Sequence, residues 1–308
     1  MFCTECHGAP SNGNCGLSRT YNLRYEDYPS NITLTDHSLV DDPCHDSCQQ
    51  ARDNVETVAK FINSPTSKFT PLDRYEAIIN VGRISGSYEP PVWNRKTRQA
   101  LFGQREINGI MRSHGTDITV VAHEFCHGLI GPLESPPKNA LEESFCDIFA
   151  VLVRNYHRDD GCYRNNPHNW LWDVGENFQE GTVSQRQLDK LLSLTSNGAE
   201  SFYEQIQIDN WTTGNNNYHE HELSLIHSHA FYRLMTTHNT VIDGEPLFNG
   251  EFALKLFREV VEDISTLDSF SESRRVFEEE AQLLLAPSPH IEVQLDAISQ
   301  AFIDVGIK

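Results

Sequence analysis

His123-Glu124-Phe125-Cys126-His127 places two imidazoles four residues apart. Side chains at that spacing stand one above the other on a helix, so both rings can reach one metal ion. Glu124 lies beside that face and can take a proton from water without being a ligand. Farther on, Ala140-Leu141-Glu142-Glu143-Ser144-Phe145-Cys146-Asp147 offers a carboxylate to complete three protein ligands. Three ligands and one open position is the layout of a catalytic zinc site. Two glutamates compete for the third place. A carboxylate that accepts the distal N–H of a ligand histidine commonly stands behind such a site. Asp147 lies four residues after Glu143, so one face offers ligand and orienter together, while Glu142 faces elsewhere. The rival is a solvated acidic face made of Glu142, Glu143 and Asp147. The expected ligands are therefore His123, His127 and Glu143. Zinc lowers the pKa of its bound water toward about 7, and Glu124 then takes the proton and hands it to a leaving amine. The chemistry is hydrolysis, with protein or peptide substrates.

These groups need a scaffold. The chain has 308 residues, enough for one large or two medium domains. No apolar run reaches the length of a membrane span. The formal net charge of -20 repels phosphate backbones and argues against nucleic-acid binding. No basic-then-apolar start is visible in this numbering, so a secretory signal is either absent or removed. Cys3, Cys6, Cys15, Cys44 and Cys48 crowd the first part of the chain, with Cys126, Cys146 and Cys162 beyond. That clustering favours disulfides and a secreted or extracellular setting, periplasm or effector delivery included. Cys126 and Cys146 lie on the two ligand-bearing segments. They either form a disulfide, which is the expectation, or stay as two small buried thiols.

Periodicity gives three segments: an irregular Cys-rich stretch over 1–35, a mixed β-containing lobe over 36–135, and a helical lobe over 136–308. Val55, Val58, Ala59 and Ile62 predict a helix from 51 to 62. Residues 21–25, 75–81, 92–94 and 100–103 read as strands. A helix over 117–127 carries the two histidines and stops at Gly128 and Gly131-Pro132. Leu141, Phe145, Ile148 and Leu152 form the apolar stripe of a helix over 139–156, and helices follow at 222–237, 250–264, 271–285 and 292–305. The fold class is α+β, two-lobed, with the zinc site expected in the cleft.

Val120-Val121-Ala122-His123-Glu124-Phe125-Cys126-His127-Gly128 resembles the zinc-helix motif of the thermolysin-like neutral metalloendopeptidases, which are gluzincins. Ala140 to Phe149 is similar to their third-ligand motif, and Ala301-Phe302-Ile303-Asp304-Val305-Gly306-Ile307-Lys308 to their C-terminal ending. The resemblance runs from about residue 36 to 308. It implies cleavage N-terminal to bulky hydrophobic residues by a monomeric enzyme. It implies an oxyanion-stabilising histidine at His221, counted back from Ala230-Phe231-Tyr232 with His219, His227 and His229 nearby. It implies substrate contacts at Trp93 and Asn94, and at Arg186, whose planar fork suits a carbonyl.

The chain also departs from that pattern. Asn216 stands where an orienting acid is usual, with Glu220 and Glu222 as substitutes, and the 129–139 linker has no oxyanion tyrosine. Thr119 and Arg154 replace calcium carboxylates, although Asp173 and Glu176 remain. Calcium is thus allowed and not required, and the Arg154 guanidinium can replace a cation. Two alternatives follow: a gluzincin aminopeptidase, whose Gly-x-Met-Glu-Asn motif is absent, and a catalytically silent or narrowly specific zinc-binding effector or adhesion module.

Overall fold

A computed structural model describes residues 17–22, 46–64, 69, 74–79, 91–107, 110–131, 136–158, 166–175, 186–189 and 220–308. They belong to two compact units, Met1–Leu129 with Val174–Gln185, and Ile130–Asp173 with Arg186–Lys308. No described helix is long and apolar enough to cross a membrane.

The first unit is built on a four-stranded sheet. Its strands are β1 (Leu17–Asn22), β2 (Arg74–Ile79), β3 (Val92–Asn94) and β4 (Gln99–Phe102), in the order β1-β2-β4-β3. β1 and β4 run parallel to β2, and β3 pairs antiparallel with β4 as an edge strand. The β3–β4 turn is held by Asn94, whose Oδ1 accepts from the Lys96 and Thr97 amides at 3.1 and 3.2 Å. Helix α1 (Asp46–Ile62) packs on this sheet. Val55, Val58 and Ile62 are fully buried and Ala59 nearly so, as their helical spacing requires. β5 (Gln104–Ile107) and β6 (Ile110–Ser113) form an antiparallel ribbon, and α2 (Ile118–Ile130) follows.

Helix α2 runs past Gly128, where the sequence suggested a stop. A methyl group at Gly128 would lie 2.5 Å from Trp93 Cζ2. The glycine is there to let α2 lie against the indole, and Trp93 also meets Phe125 at 5.7 Å between ring centroids. The helix ends at Gly131, whose φ of 72° is a left-handed exit that costs glycine little. At its start, Asp117 Oδ1 accepts from the Thr119 amide at 2.8 Å and from its hydroxyl. That pairing satisfies an N–H left without an intrahelical partner.

The second unit is helical. α3 (Pro136–Tyr156) begins three residues before the sequence suggested, with proline tolerated in the first turn. α4 (Glu220–Met235), α5 (Gly250–Glu262), α6 (Phe270–Leu285) and α7 (Ile291–Ile303) complete it. α3 and α4 are closely packed. Leu141, Phe145 and Ile148 are fully buried and Leu152 nearly so. Phe145 stacks on Phe277 at 6.1 Å and meets Phe257 at 5.8 Å, while Phe149 meets Phe257 at 6.0 Å. Each buried phenylalanine contributes roughly 2–3 kcal/mol of hydrophobic burial, and these rings join α3 to α5 and α6.

Candidate active site

In the first unit, α2 carries the histidine pair. His123 and His127 share one face, with ring centroids 4.9 Å apart and planes at 82°. His123 and Glu124 are buried, and His127 is half-buried. Val120, Val121, Ala122, Phe125 and Cys126 are buried around them. An apolar helix therefore carries two imidazoles and one carboxylate in a dry setting. Charge in such a setting is costly unless a partner or a metal compensates it.

The second unit holds a cluster of charges on α3, α4 and the Arg186 segment. Arg186 Nη2 lies 3.1 Å from Asp147 Oδ1, and Nη1 lies 3.4 Å from Glu143 Oε2. His221 Nδ1 is 2.8 Å from the same Glu143 oxygen and 3.0 Å from Arg186 Nη1. A guanidinium only donates and a carboxylate only accepts, so Nδ1 cannot serve both. The shorter contact and the carboxylate's charge favour a proton on Nδ1, donated to Glu143. A carboxylate thus orients His221 even though the sequence has Asn216 where an orienting acid was expected. Asn216 itself lies outside the described residues, as do the side chains of Glu220 and Glu222. Asp147 is completely buried and Glu142 nearly so, which excludes a solvated acidic face. Glu143, and not Glu142, is the glutamate that meets His221 and Arg186.

Arg186 is held from behind. The Leu188 amide donates to the Trp172 carbonyl at 2.9 Å, and His229 Nδ1 donates to the Leu188 carbonyl at 2.8 Å. Burial keeps the His229 imidazole below its ordinary pKa even though the Leu188 bond favours the charged form. Gln187 donates to Asp173 Oδ1 at 3.1 Å, and Arg154 Nη1 to the Asp173 carbonyl at 3.2 Å. Asp173, expected as a calcium carboxylate, is thus engaged by an amide at its carboxylate and by a guanidinium at its backbone. Thr119 joins Asp117 to the Gly175 amide, which donates to its hydroxyl at 2.9 Å. Glu176 lies outside the described residues.

Two expectations change. Cys126 and Cys146 are buried thiols and do not form the expected disulfide. Both are fully enclosed. Cys3, Cys6, Cys15, Cys44 and Cys162, and the side chain of Cys48, lie outside the described residues. Trp93 is a core side chain under α2, and Asn94 caps a turn. The edge position of β3 is the feature that leaves a substrate role open to it.

Sequence reasoning overlooked a buried polar chain beside the cluster. His227 is fully buried, with Nδ1 2.7 Å from Ser144 Oγ and Nε2 2.9 Å from Ser273 Oγ. Burial pushes its pKa down to about 3, so it is neutral. Ser144 also meets Ser228 Oγ at 2.8 Å. The one local trace is that Ser224 and Ser228 stand four apart on α4, which points to neither Ser144 nor Ser273.

Residues 137–307 match the model for "thermolysin metallopeptidase, alpha-helical domain". The chain belongs to the thermolysin metallopeptidase family. That match spans the helices and the segment that carry Glu143, Asp147, Arg186 and His221. Among solved structures, the chain is similar to the precursor of protealysin, a metalloproteinase from Serratia proteamaculans. The TM-score is 0.70 at 18% identity, covering 98% of this chain and 91% of that one. The fold is therefore the α+β thermolysin-like one. No curated protein matches the chain. A thermolysin-family metallopeptidase requires a metal, and the donors fit one. Two imidazoles on one helix face suit zinc.

Proposed function

We propose that the chain is a secreted zinc endopeptidase that cleaves peptide bonds N-terminal to bulky hydrophobic residues. One observation carries this beyond family membership. Within one unit, Arg186 and His221 meet the Glu143–Asp147 face of α3 through contacts of 2.8 to 3.4 Å, although both lie far from it in sequence.

His123, His127 and Glu143 would hold the zinc. When bound, it supplies Lewis acidity that polarises the scissile carbonyl and makes water a stronger acid. Glu124, buried in the α2 face, takes a proton from the attacking water and delivers it to the leaving amine. In its doubly protonated form, His221 would donate Nε2–H to the developing oxyanion while Nδ1–H stays on Glu143 and fixes the ring. Asp147 orients a ligand histidine while Arg186 balances its buried charge. A guanidinium has five N–H donors, so Arg186 can pair with both carboxylates and still meet a substrate carbonyl. The substrate backbone adds to the edge strand β3 beside Trp93 and Asn94. Arg154 meets the Asp173 backbone carbonyl, where its guanidinium could replace a cation, so calcium is allowed and not required.

The test is cleavage of an N- and C-terminally blocked peptide library after chelation and reconstitution. Cutting restored by zinc alone, before large apolar residues, supports the proposal. Cleavage that requires a free amine points to an aminopeptidase. Zinc uptake without any cleavage points to a silent binding module. Either result overturns it.

A further inference from the structure

The buried polar chain around His227 has a direction that can be worked out. Ser228 donates its hydroxyl proton to the Ser224 carbonyl at 3.1 Å, because a carbonyl can only accept. The hydroxyl of Ser144 must then donate to Ser228 Oγ, and Ser144 Oγ accepts from His227 Nδ1–H. Nε2 is left bare and accepts from the Ser273 hydroxyl. Every proton has one place, and the imidazole is fixed as a single neutral tautomer. Phe145, Phe270, Phe277 and Phe302 enclose the ring at 5.3 to 5.8 Å between centroids.

Away from Ser273, two links of this chain lie next to groups assigned to the chemistry. Ser144 follows Glu143 directly on α3. Ser224 carries the last accepting carbonyl, and its own hydroxyl donates to the His221 carbonyl at 2.9 Å. Apolar rings packed between helices tolerate small slides, whereas a directional chain closes in only one register. We infer that Ser144, His227 and Ser228 are positioning residues that lock α3 against α4, so that Glu143 meets His221 at the observed contact. This inference rests on the zinc-peptidase proposal above, because only there does that contact matter for turnover.

The competing role is stability alone. Ser144→Ala and Ser273→Ala each remove one hydroxyl from His227, but only the first cuts the path toward Glu143 and His221. The two variants and the wild type are compared for thermal midpoint, zinc affinity against a chromophoric chelator, and kcat and KM on a blocked peptide. Similar losses of thermal midpoint are expected in both variants. Ser144→Ala lowers kcat and weakens zinc binding about tenfold each, with KM held within about twofold. Ser273→Ala leaves kcat, KM and zinc affinity at wild-type values. Equal effects of the two variants on kcat and zinc affinity, whether large or nil, would overturn the inference.

If Ser144→Ala does not fold, His227→Asn and His227→Gln make the same comparison. Asn reaches the Nδ1 position and keeps the Ser144 link, while Gln reaches the Nε2 position and keeps the Ser273 link. Only Gln is expected to lose turnover, and indistinguishable kinetics would count against the inference. A wild type that takes up no zinc or cuts no peptide refutes the zinc-peptidase proposal and the inference with it. An active wild type with equivalent variants refutes the inference alone.

Discussion

Replacing His227 with Gln should change how stability depends on pH. In the folded chain the imidazole is fully buried and neutral, with its pKa pushed from 6.5 to about 3 by burial. In the unfolded chain it takes up a proton near 6.5. Its folded value is depressed, and for a histidine this means that the unfolded state binds more protons below 6.5. Stability is then full above pH 6.5 and falls as the pH drops toward 3. Each pH unit in that window is worth about 1.4 kcal/mol, so the whole span of 6.5 to about 3 is worth about 5 kcal/mol. Lowering the pH from 7.5 to 5.0 crosses 1.5 of those units, for a loss of about 2 kcal/mol. The glutamine variant has no such group. Urea unfolding of both proteins at pH 7.5 and 5.0 therefore isolates the effect, since the other histidines cancel in the difference. Wild type is the more stable at pH 7.5, and its advantage shrinks by about 2 kcal/mol at pH 5.0. An advantage that stays constant between the two pH values would show that His227 is not a buried neutral group and would refute the assigned tautomer chain.

Gly128→Val drives a side chain into the Trp93 indole and should cost about 2–3 kcal/mol in urea unfolding. Adding Trp93→Leu should recover part of that loss, and full tolerance of the valine would contradict the close packing of α2. His221→Phe should lower kcat about 10²- to 10³-fold, as loss of one oxyanion donor does, with zinc content unchanged. Metal loss in that variant, measured by elemental analysis, would mean that His221 is a ligand.

Much of this was legible in the sequence, for reasons that also explain the gaps. Helical spacing identified the buried face of α1 and the stripe of α3, because burial acts on every apolar side chain of a face. The four-residue step from Glu143 to Asp147 puts both on one face of α3, and Arg186 pairs with both. Of the two stops that the sequence offers for α2, Gly131 ends the helix and Gly128 does not, because at Gly128 the missing side chain is what admits Trp93. The β5–β6 ribbon was missed although Asn108-Gly109, a strong hairpin signal, stands between its strands. Gln104-Arg105-Glu106-Ile107 and Ile110-Met111-Arg112-Ser113 lack the alternation that marks a half-buried sheet. Ser144, His227 and Ser273 are scattered along the sequence, and nothing local in any of them shows that they meet. A disulfide between Cys126 and Cys146 was inferred from their place on the ligand helices, but proximity to a site does not decide between a bridge and two buried thiols.

The most direct test of the central claim is Glu124→Gln, assayed together for zinc content and for cleavage of a blocked peptide. Gln keeps the size of the side chain and removes its ability to take a proton. The account predicts one zinc bound per chain, as in the wild type, with peptide cleavage abolished. A zinc-loaded variant that still cuts the peptide at the wild-type rate would contradict it.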